Sequence, residues 1–124
     1  MQHMSNASPT IKKEILLLMP DSLEKAMGGM GEQCRQILSH WNNPNIHFQV
    51  IGSQMQPPCV AEKYTYSPLE FNRLPTMQVD PLNLIFLNQT GLLYTALKRT
   101  TKPDIVHAFD WSTAYAGVHL AAFY

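Results

Sequence analysis

Cysteine, excess charge and long apolar runs are all scarce in this sequence. Its two cysteines, Cys34 and Cys59, are too few and too unpatterned for a disulfide framework or a zinc site. The His, Cys, Asp and Glu residues lack metal-ligand spacing, so we expect no metal and no cofactor. Nine basic and nine acidic side chains cancel without a long run of either sign, which argues against a nucleic-acid-binding domain. No apolar run approaches the ~18 residues of a membrane span, and no signal peptide is recognisable. These absences predict a cytoplasmic protein.

The sequence predicts one domain preceded by a short tail. A length of 124 residues with 45% hydrophobic residues suits a single compact domain with a core of its own. Residues 1–10, "MQHMSNASPT", are polar and non-periodic, and we expect them to form a disordered tail. Residues 11–124 form the domain.

Strands and helices alternate along this domain. Apolar or alternating β-branched runs predict strands at 14–19, 46–52 and 105–109. Apolar residues at helical spacing predict three helices, which cover residues 30–41, 81–99 and 112–123. For the second, Asp80 and Pro81 suit the cap and first position, with an apolar face of Leu82, Ile85, Phe86, Leu93 and Leu97. The alternation predicts an α/β fold with a doubly wound parallel sheet.

The segment from Ser53 to Val79 does not follow this alternation. It contains four prolines and little periodicity. We expect an excursion from the domain with one short extended piece, near either Tyr64–Tyr66 or Leu69–Leu74.

The N-cap of the last helix is also left open by the sequence. Ser112, Thr113 and Asp110 are all suitable N-caps for this helix.

A glycine-rich loop is the first candidate site. Gly28, Gly29, Gly31 and Glu32 follow the first strand, where parallel sheets bind ligands. Glycines let backbone N–H groups approach a ligand, and the following helix N-terminus favours an anionic or oxygen-rich group. A flexible strand-to-helix turn with no ligand explains the glycines equally well.

His107, Asp110 and Trp111 form the second candidate site. Strand alternation puts Ile105 and His107 on one side of the third predicted strand. A histidine near a strand end can offer both a donor and an acceptor to a ligand. A buried histidine with one satisfied hydrogen bond is the alternative, and the sequence alone favours it. Trp111 is expected in the core or in a pocket wall.

Two segments resemble motifs of one enzyme family. "KPDIVHAFDWSTAYAG" (residues 102–117) resembles the proline-aspartate, histidine, aspartate-tryptophan segment in the N-terminal domain of starch and glycogen synthases. Related retaining glycosyltransferases with the two-domain GT-B fold share that segment. "GGMGE" (residues 28–32) is similar to the Gly-Gly-Leu-Gly-Asp loop of the same family. The resemblance covers about residues 14 to 124, and the middle excursion matches poorly.

This resemblance implies a fold and a function. The domain would be Rossmann-like and part of the N-terminal half of a broader, family 4 type glycosyltransferase. Its parent would transfer a sugar from a nucleotide-sugar donor to a carbohydrate or related acceptor. His107 and Asp110 would be catalytic, whereas Gly28, Gly29, Gly31, Glu32 and Trp111 would bind substrate. Most donor contacts would belong to a second domain, so the chain is expected to be a fragment that is inactive alone.

Departures from the family pattern keep other interpretations open. Ala26 occupies the position of a phosphate-binding lysine, with Lys25 one residue away, and Ser112 replaces a histidine. A stand-alone flavodoxin-like binding or regulatory module and a non-catalytic GT-B-derived subunit are the alternatives. A truncated domain would leave a strand edge and an apolar helix face uncovered, and this predicts self-association.

Overall fold

A computed structural model of the chain describes residues 12–19, 29–53, 56–70 and 81–124. The tail predicted at residues 1–10 lies outside this part of the chain. Strands and helices alternate within it, in the order β1 (Lys13–Leu18), α1 (Gly29–His40), β2 (Ile46–Gly52), β3 (Cys59–Val60), β4 (Tyr64–Pro68), α2 (Pro81–Arg99), β5 (Ile105–Ala108) and α3 (Trp111–Phe123).

The five strands form one sheet in the order β3-β4-β2-β1-β5. β1 is parallel to both of its neighbours, and Leu17 is in register with Val50 of β2 and His107 of β5. β4 is parallel to β2, whereas β3 is antiparallel to β4. The prediction of a parallel sheet built from the three apolar segments is confirmed, with the first and third as neighbours.

The proline-rich excursion supplies two of these strands. The extended piece predicted near Tyr64–Tyr66 is β4, and it is a full member of the sheet beside β2. The alternative at Leu69–Leu74 is not a strand at Leu69 and Glu70, and its remaining residues lie outside the described part. β3 was not predicted, because a two-residue strand leaves no periodic pattern to recognise.

Apolar side chains alternate between the two faces of the sheet and give two core clusters. One face packs against α1 through Leu17, Met19, Cys34, Leu38, Phe48, Val50 and Tyr66. The other packs against α2 and α3 through Leu16, Leu18, Ile51, Leu92, Ala96, Ala116 and Leu120. Helices therefore cover both faces of a mostly parallel sheet, an α/β arrangement that is compatible with a Rossmann-like fold.

The predicted bounds of α2 are confirmed, but its predicted apolar face is only partly right. Leu97 was expected inside and is 48% exposed, while Leu92 and Ala96 are buried. Leu93 is half-buried against the core. The buried stripe passes through the polar residues Gln89 and Thr95, which hid it from a pattern based on apolar residues alone. α2 is the longest described helix, with 19 residues. Neither it nor any other helix in the described ranges is both long and apolar enough to cross a membrane.

The two edges of the sheet differ in character. β3 ends one edge with two residues, and the exposed prolines Pro57 and Pro58 precede it. β5 ends the other edge, and its sequence "IVHA" contains no proline, lysine or glycine. Natural sheets use short strands, prolines and lysines to protect their edges. The β3 edge has such protection, and the β5 edge does not.

Candidate functional site

The strand order reverses at β1. The chain runs from β1 to β2 and β4 on one side and then crosses over to place β5 on the other side. In open α/β sheets, ligands bind beyond the carboxyl ends of the strands at this switch point. The two strand ends are joined there, because the N–H of Phe109 donates to the carbonyl of Leu18 over 3.0 Å. Both predicted motifs follow these two strands.

His107 is exposed on the same face of the sheet as α1. α1 packs over β1, β2 and β4, so the ring on the edge strand β5 stays accessible. It stacks on Phe109 with ring centroids 4.4 Å apart and an angle of 10° between the rings. The alternative of a buried histidine is therefore not what the structure contains. An accessible imidazole held by a neighbouring ring can present its nitrogens to a ligand.

Asp110 is the N-cap of α3. Its backbone is extended, with φ −159° and ψ 166°, and its N–H donates to Thr113 Oγ1 over 3.3 Å. The Ser112 hydroxyl donates to Asp110 Oδ2 over 3.1 Å. Of the three N-caps that the sequence left open, Asp110 is the one found, because Ser112 and Thr113 lie inside the first turn and bond back to it. Asp110 fixes the turn that follows β5.

Trp111 begins α3 and is 63% exposed. The expectation that it belongs to the core is therefore wrong. Its exposure follows from its position, because it is the first helical residue and points away from the buried face formed by Thr113, Ala116, Gly117 and Leu120. The ring is available to a ligand or to another protein surface.

The glycine-rich segment is helical where the structure describes it. Gly29, Gly31 and Glu32 lie in the first turn of α1. The helix predicted from residue 30 is confirmed for Gly31 and Glu32, the predicted loop is wrong for Gly29, and Gly28 lies outside the described residues. The first N–H groups of a helix lack internal partners, so they can donate to oxygen atoms as the loop was expected to do. The candidate N–H donors therefore belong to the first turn of a helix.

Glu32 is engaged within α1. Arg35 donates to its two carboxylate oxygens over 2.9 and 2.5 Å, and Gln36 donates over 2.8 Å. The hydrogen bonds from Arg35 and then Gln36 hold the pKa of the Glu32 carboxyl below its usual value. The residue is thus an ionised carboxylate whose oxygens already have donors.

The fold brings both candidate segments to one edge and one face of the sheet. Phe109, which stacks on His107, packs against the cluster that contains Cys34 of α1. Cys34 is one turn beyond Met30, so the first turns of α1 and the end of β5 lie on the same face of the sheet. A ligand there would meet helix N–H groups on one side and an imidazole on the other.

A cavity of about 280 Å³ lies at the opposite end of the strands, where β5 begins and α3 ends. It contains none of the predicted site residues, and its lining consists of Lys102, Pro103, Asp104, Val106, Ala121 and Tyr124. Within the described ranges, no three His, Cys, Asp or Glu side chains converge as metal ligands. The cavity gives no support to the predicted site and lies on the side of the sheet that parallel α/β proteins seldom use for ligands.

Gln49 and Gln89, both buried, position the elements around the site, and neither was predicted from the sequence. Gln49 of β2 bonds both backbone groups of Thr101, over 3.2 and 2.9 Å. Gln89 of α2 donates to the Ser112 carbonyl and accepts from the Ala116 N–H over 2.8 Å. The two hydrogen bonds of Gln89 hold the first turns of α3, and hence Asp110 and Trp111, against α2.

The chain matches no protein-family model, and neither the curated proteins nor the solved structures include one with significant similarity to it.

Proposed function

We propose that the chain is the acceptor-side domain of a retaining glycosyltransferase of the GT-B type. The enzyme would transfer a sugar from a nucleotide-sugar donor to a carbohydrate or related acceptor. One observation carries this proposal. The two segments that resemble synthase motifs are attached to neighbouring parallel strands at the point where the strand order reverses. Residues 29–32 begin α1, the helix after β1, and residues 102–117 contain β5 and the start of α3.

The strand order supports this proposal over a flavodoxin-like module. Along the sheet, the parallel strands run β4-β2-β1-β5. When they are numbered by their order in the chain, this is the arrangement of the first half of a Rossmann sheet, with the third strand outside the second. A flavodoxin-like sheet places its third strand beside the first. Here β5 occupies that position, because β4 pairs with β2.

Each candidate residue has a role that its geometry allows. The N–H groups at the start of α1 can hold the oxygens of a sugar or a diphosphate, since a helix N-terminus favours negative charge. The exposed ring of His107 can hydrogen-bond a sugar hydroxyl and orient the acceptor. Asp110 maintains the turn from β5 to α3 as the α3 N-cap. In a single copy of the chain, Trp111 offers an exposed apolar ring surface beside that turn.

The reaction sets the relative importance of these roles. A retaining transfer passes through a transition state that resembles an oxocarbenium ion, and charge develops on the leaving phosphate. In the proposed enzyme, a second domain supplies most of the groups that stabilise this charge. His107 is then a binding and orienting group and not a nucleophile. The chain alone would bind ligands but would not turn them over.

Glucan synthesis is not part of the proposal. Ser112 stands where the synthases have a histidine, and its hydroxyl is already bonded to Asp110. A serine in that position cannot supply the second imidazole of the synthase pattern. The acceptor is therefore assigned only as a carbohydrate or a related hydroxyl compound.

NMR titration of the chain tests this proposal. Nucleotide-sugars and oligosaccharides should shift the amide signals of Gly29, Gly31, His107 and Trp111. His107→Ala should abolish the shifts caused by the oligosaccharide, whereas His40→Ala, which removes an exposed histidine from the far end of α1, should retain them. Shifts confined to the cavity near Lys102 and Tyr124, or no shifts with any sugar or nucleotide-sugar, would contradict the proposal.

Activity provides the second test. In an enzyme that carries both domains, His107→Ala should lower turnover by about 10²-fold, the scale of losing one well-placed transition-state contact. His40→Ala should leave turnover unchanged. If His107→Ala spares turnover but lowers the melting temperature, the histidine has a structural role only.

A further inference from the structure

α3 carries no Lys, Arg, Asp or Glu although it lies at the surface of the fold. One face packs on the sheet and on α2 through buried residues that include Leu120. The opposite face exposes Trp111 by 63%, Tyr115 by 55% and Val118 by 69%. Surface helices usually carry charged or polar residues on their outer face, so the outer face of α3 has the composition of an interface.

The exposed apolar residues form a line along the helix. Trp111, Tyr115, Val118 and Ala122 follow one another at spacings of four, three and four residues, which places them on one face. We call these four residues the outer stripe. Its two bulkiest side chains lie in the first half of α3, and its two smaller ones lie in the second half. The stripe is therefore asymmetric in size along the helix.

This asymmetry makes the outer stripe complementary to itself. An antiparallel second copy of α3, related by a two-fold axis at the middle of the stripe, would place Trp111 against Ala122 of the other copy. The same register places Tyr115 against Val118, and each pair occurs twice because the axis is two-fold. Large side chains then face small ones along the whole contact, as ridges fill grooves in packed helices. No register with parallel helices gives this match under a two-fold axis.

We propose that the outer stripe is the interface of a homodimer formed by antiparallel packing of α3 on α3. The occupant is a second copy because the stripe complements its own sequence and has no charge that would select an oppositely charged partner. With a formal net charge of zero on the chain, long-range repulsion between two copies is absent.

The area of the stripe sets the strength of this dimer. An aromatic side chain offers about 150–250 Å² for burial, so the exposed parts of the stripe and of its neighbours His119 and Phe123 supply roughly 600–700 Å² per copy. A standard interface uses about 800 Å² per partner. The dimer is thus at the small end of the range, where complexes are weak, and we expect a Kd in the micromolar range or above.

Sedimentation of the chain from low micromolar to submillimolar concentration is the test. The wild-type chain should convert from monomer to dimer across this range. Val118→Glu, which adds a charge near the two-fold axis, should raise Kd by about tenfold or more, because the carboxylate would lose water on burial. Val60→Glu is the matched control, since Val60 is 86% exposed on β3 and lies far from α3; it should leave Kd unchanged.

A charge pair tests the register. Tyr115→Lys alone should weaken the dimer as Val118→Glu does. Combining the two in one chain places lysine against glutamate across the interface twice, and this variant should recover most of the lost affinity. Tyr115→Lys combined with Ala122→Glu has the same charges without facing partners in this register, and it should stay weak. All the substituted side chains are exposed, so circular dichroism should show native folding for each variant.

Three results would overturn the proposal. The first is a wild-type chain that stays monomeric at every concentration. The second is a dimer that Ile105→Glu dissociates while Val118→Glu leaves it intact, because this pattern assigns the contact to the exposed β5 edge. The third is equal recovery by both charge pairs, which would contradict the antiparallel register.

Discussion

Gly117 of α3 lies so close to β5 that a methyl group on its Cα would stand 3.1 Å from the Cβ of Ala108. Carbon atoms in ordinary contact are about 3.5–4.0 Å apart. The Cβ of Ala108 is attached directly to the strand and cannot move away as the end of a long side chain could. The glycine thus permits α3 to sit at its short distance from the sheet.

Gly117→Ala should leave stability almost unchanged. Alanine gains roughly 1 kcal/mol of helix propensity over glycine, and the tight contact with Ala108 cancels most of that gain. Gly117→Val should lower the free energy of unfolding by roughly 2–3 kcal/mol, because its branches would also crowd Val106 and Leu18. Urea unfolding measures both changes. Ala114→Val, at an exposed position of the same helix, is the control, and equal stability of the two valine variants would disprove the packing argument.

Gln49 and Gln89 should differ in the effect of their removal. Gln49→Leu leaves the N–H and C=O of Thr101 without the amide that bonds both. Gln89→Leu frees the Ser112 carbonyl and the Ala116 N–H, which are four residues apart in a helix and can bond to each other. Gln49→Leu should therefore lower the free energy of unfolding by roughly 1 kcal/mol more than Gln89→Leu.

Hydrogen exchange followed by NMR gives a residue-level check on this pair. The amide of Thr101 should exchange faster in Gln49→Leu, while that of Ala116 should stay protected in Gln89→Leu. Gln33→Leu, at an exposed position of α1, should change neither amide. Loss of protection at Ala116 would show that α3 depends on the glutamine for its own backbone bonding.

Cys34 should be unreactive in the folded chain. Burial raises the pKa of its thiol to about 12, so the reactive thiolate is nearly absent at pH 7 to 9. The less buried Cys59 should react with an aromatic disulfide reagent, and Cys34 should react only after unfolding in urea. In Cys59→Ser, native labelling should be close to zero throughout this pH range. Labelling of that variant at the rate of a free thiol would contradict the burial of Cys34.

His107→Ala should preserve the fold, whatever its effect on ligand binding. The His107 ring is exposed and stacks on Phe109 at the sheet edge. The free energy of unfolding should therefore change by no more than about 1 kcal/mol. Phe109→Ala is the comparison, because Phe109 packs against the core and its loss should cost roughly 2 kcal/mol or more. Thermal unfolding of both variants measures the difference. Equal destabilisation would show that His107 supports the core.

The sheet could be predicted where the sequence alone determines burial. β1, β2 and β5 are short apolar runs, and the connections between them allowed the neighbouring positions of β1 and β5 to be predicted. The place of β4 in the sheet could not be predicted. Its buried Tyr66 lies among prolines and polar residues, so the segment shows no clear alternation. Its membership of the sheet depends on pairing with β2.

The candidate site was predictable by position and less so by conformation. His107 follows from its strand, and the edge location of β5 explains its exposure. α1 begins at Gly29, one residue before the predicted start at residue 30. Glycines weaken a helix, whereas packing of Cys34 and Leu38 against the sheet stabilises this one. Gln49 and Gln89 were missed since their burial depends on backbone groups far away in the chain, which no local pattern contains.

The unlike edges of the sheet decide which aggregates this fold can form. A fibre that grows by sheet extension needs each copy to accept a strand at one edge and offer one at the other. The β5 edge can do so, but β3 presents two residues behind Pro57 and Pro58, and proline cannot donate to a ladder. Head-to-tail growth therefore stops at its first step. Two copies that meet through their β5 edges use up both open edges, so extension of the folded sheet ends with a pair of copies.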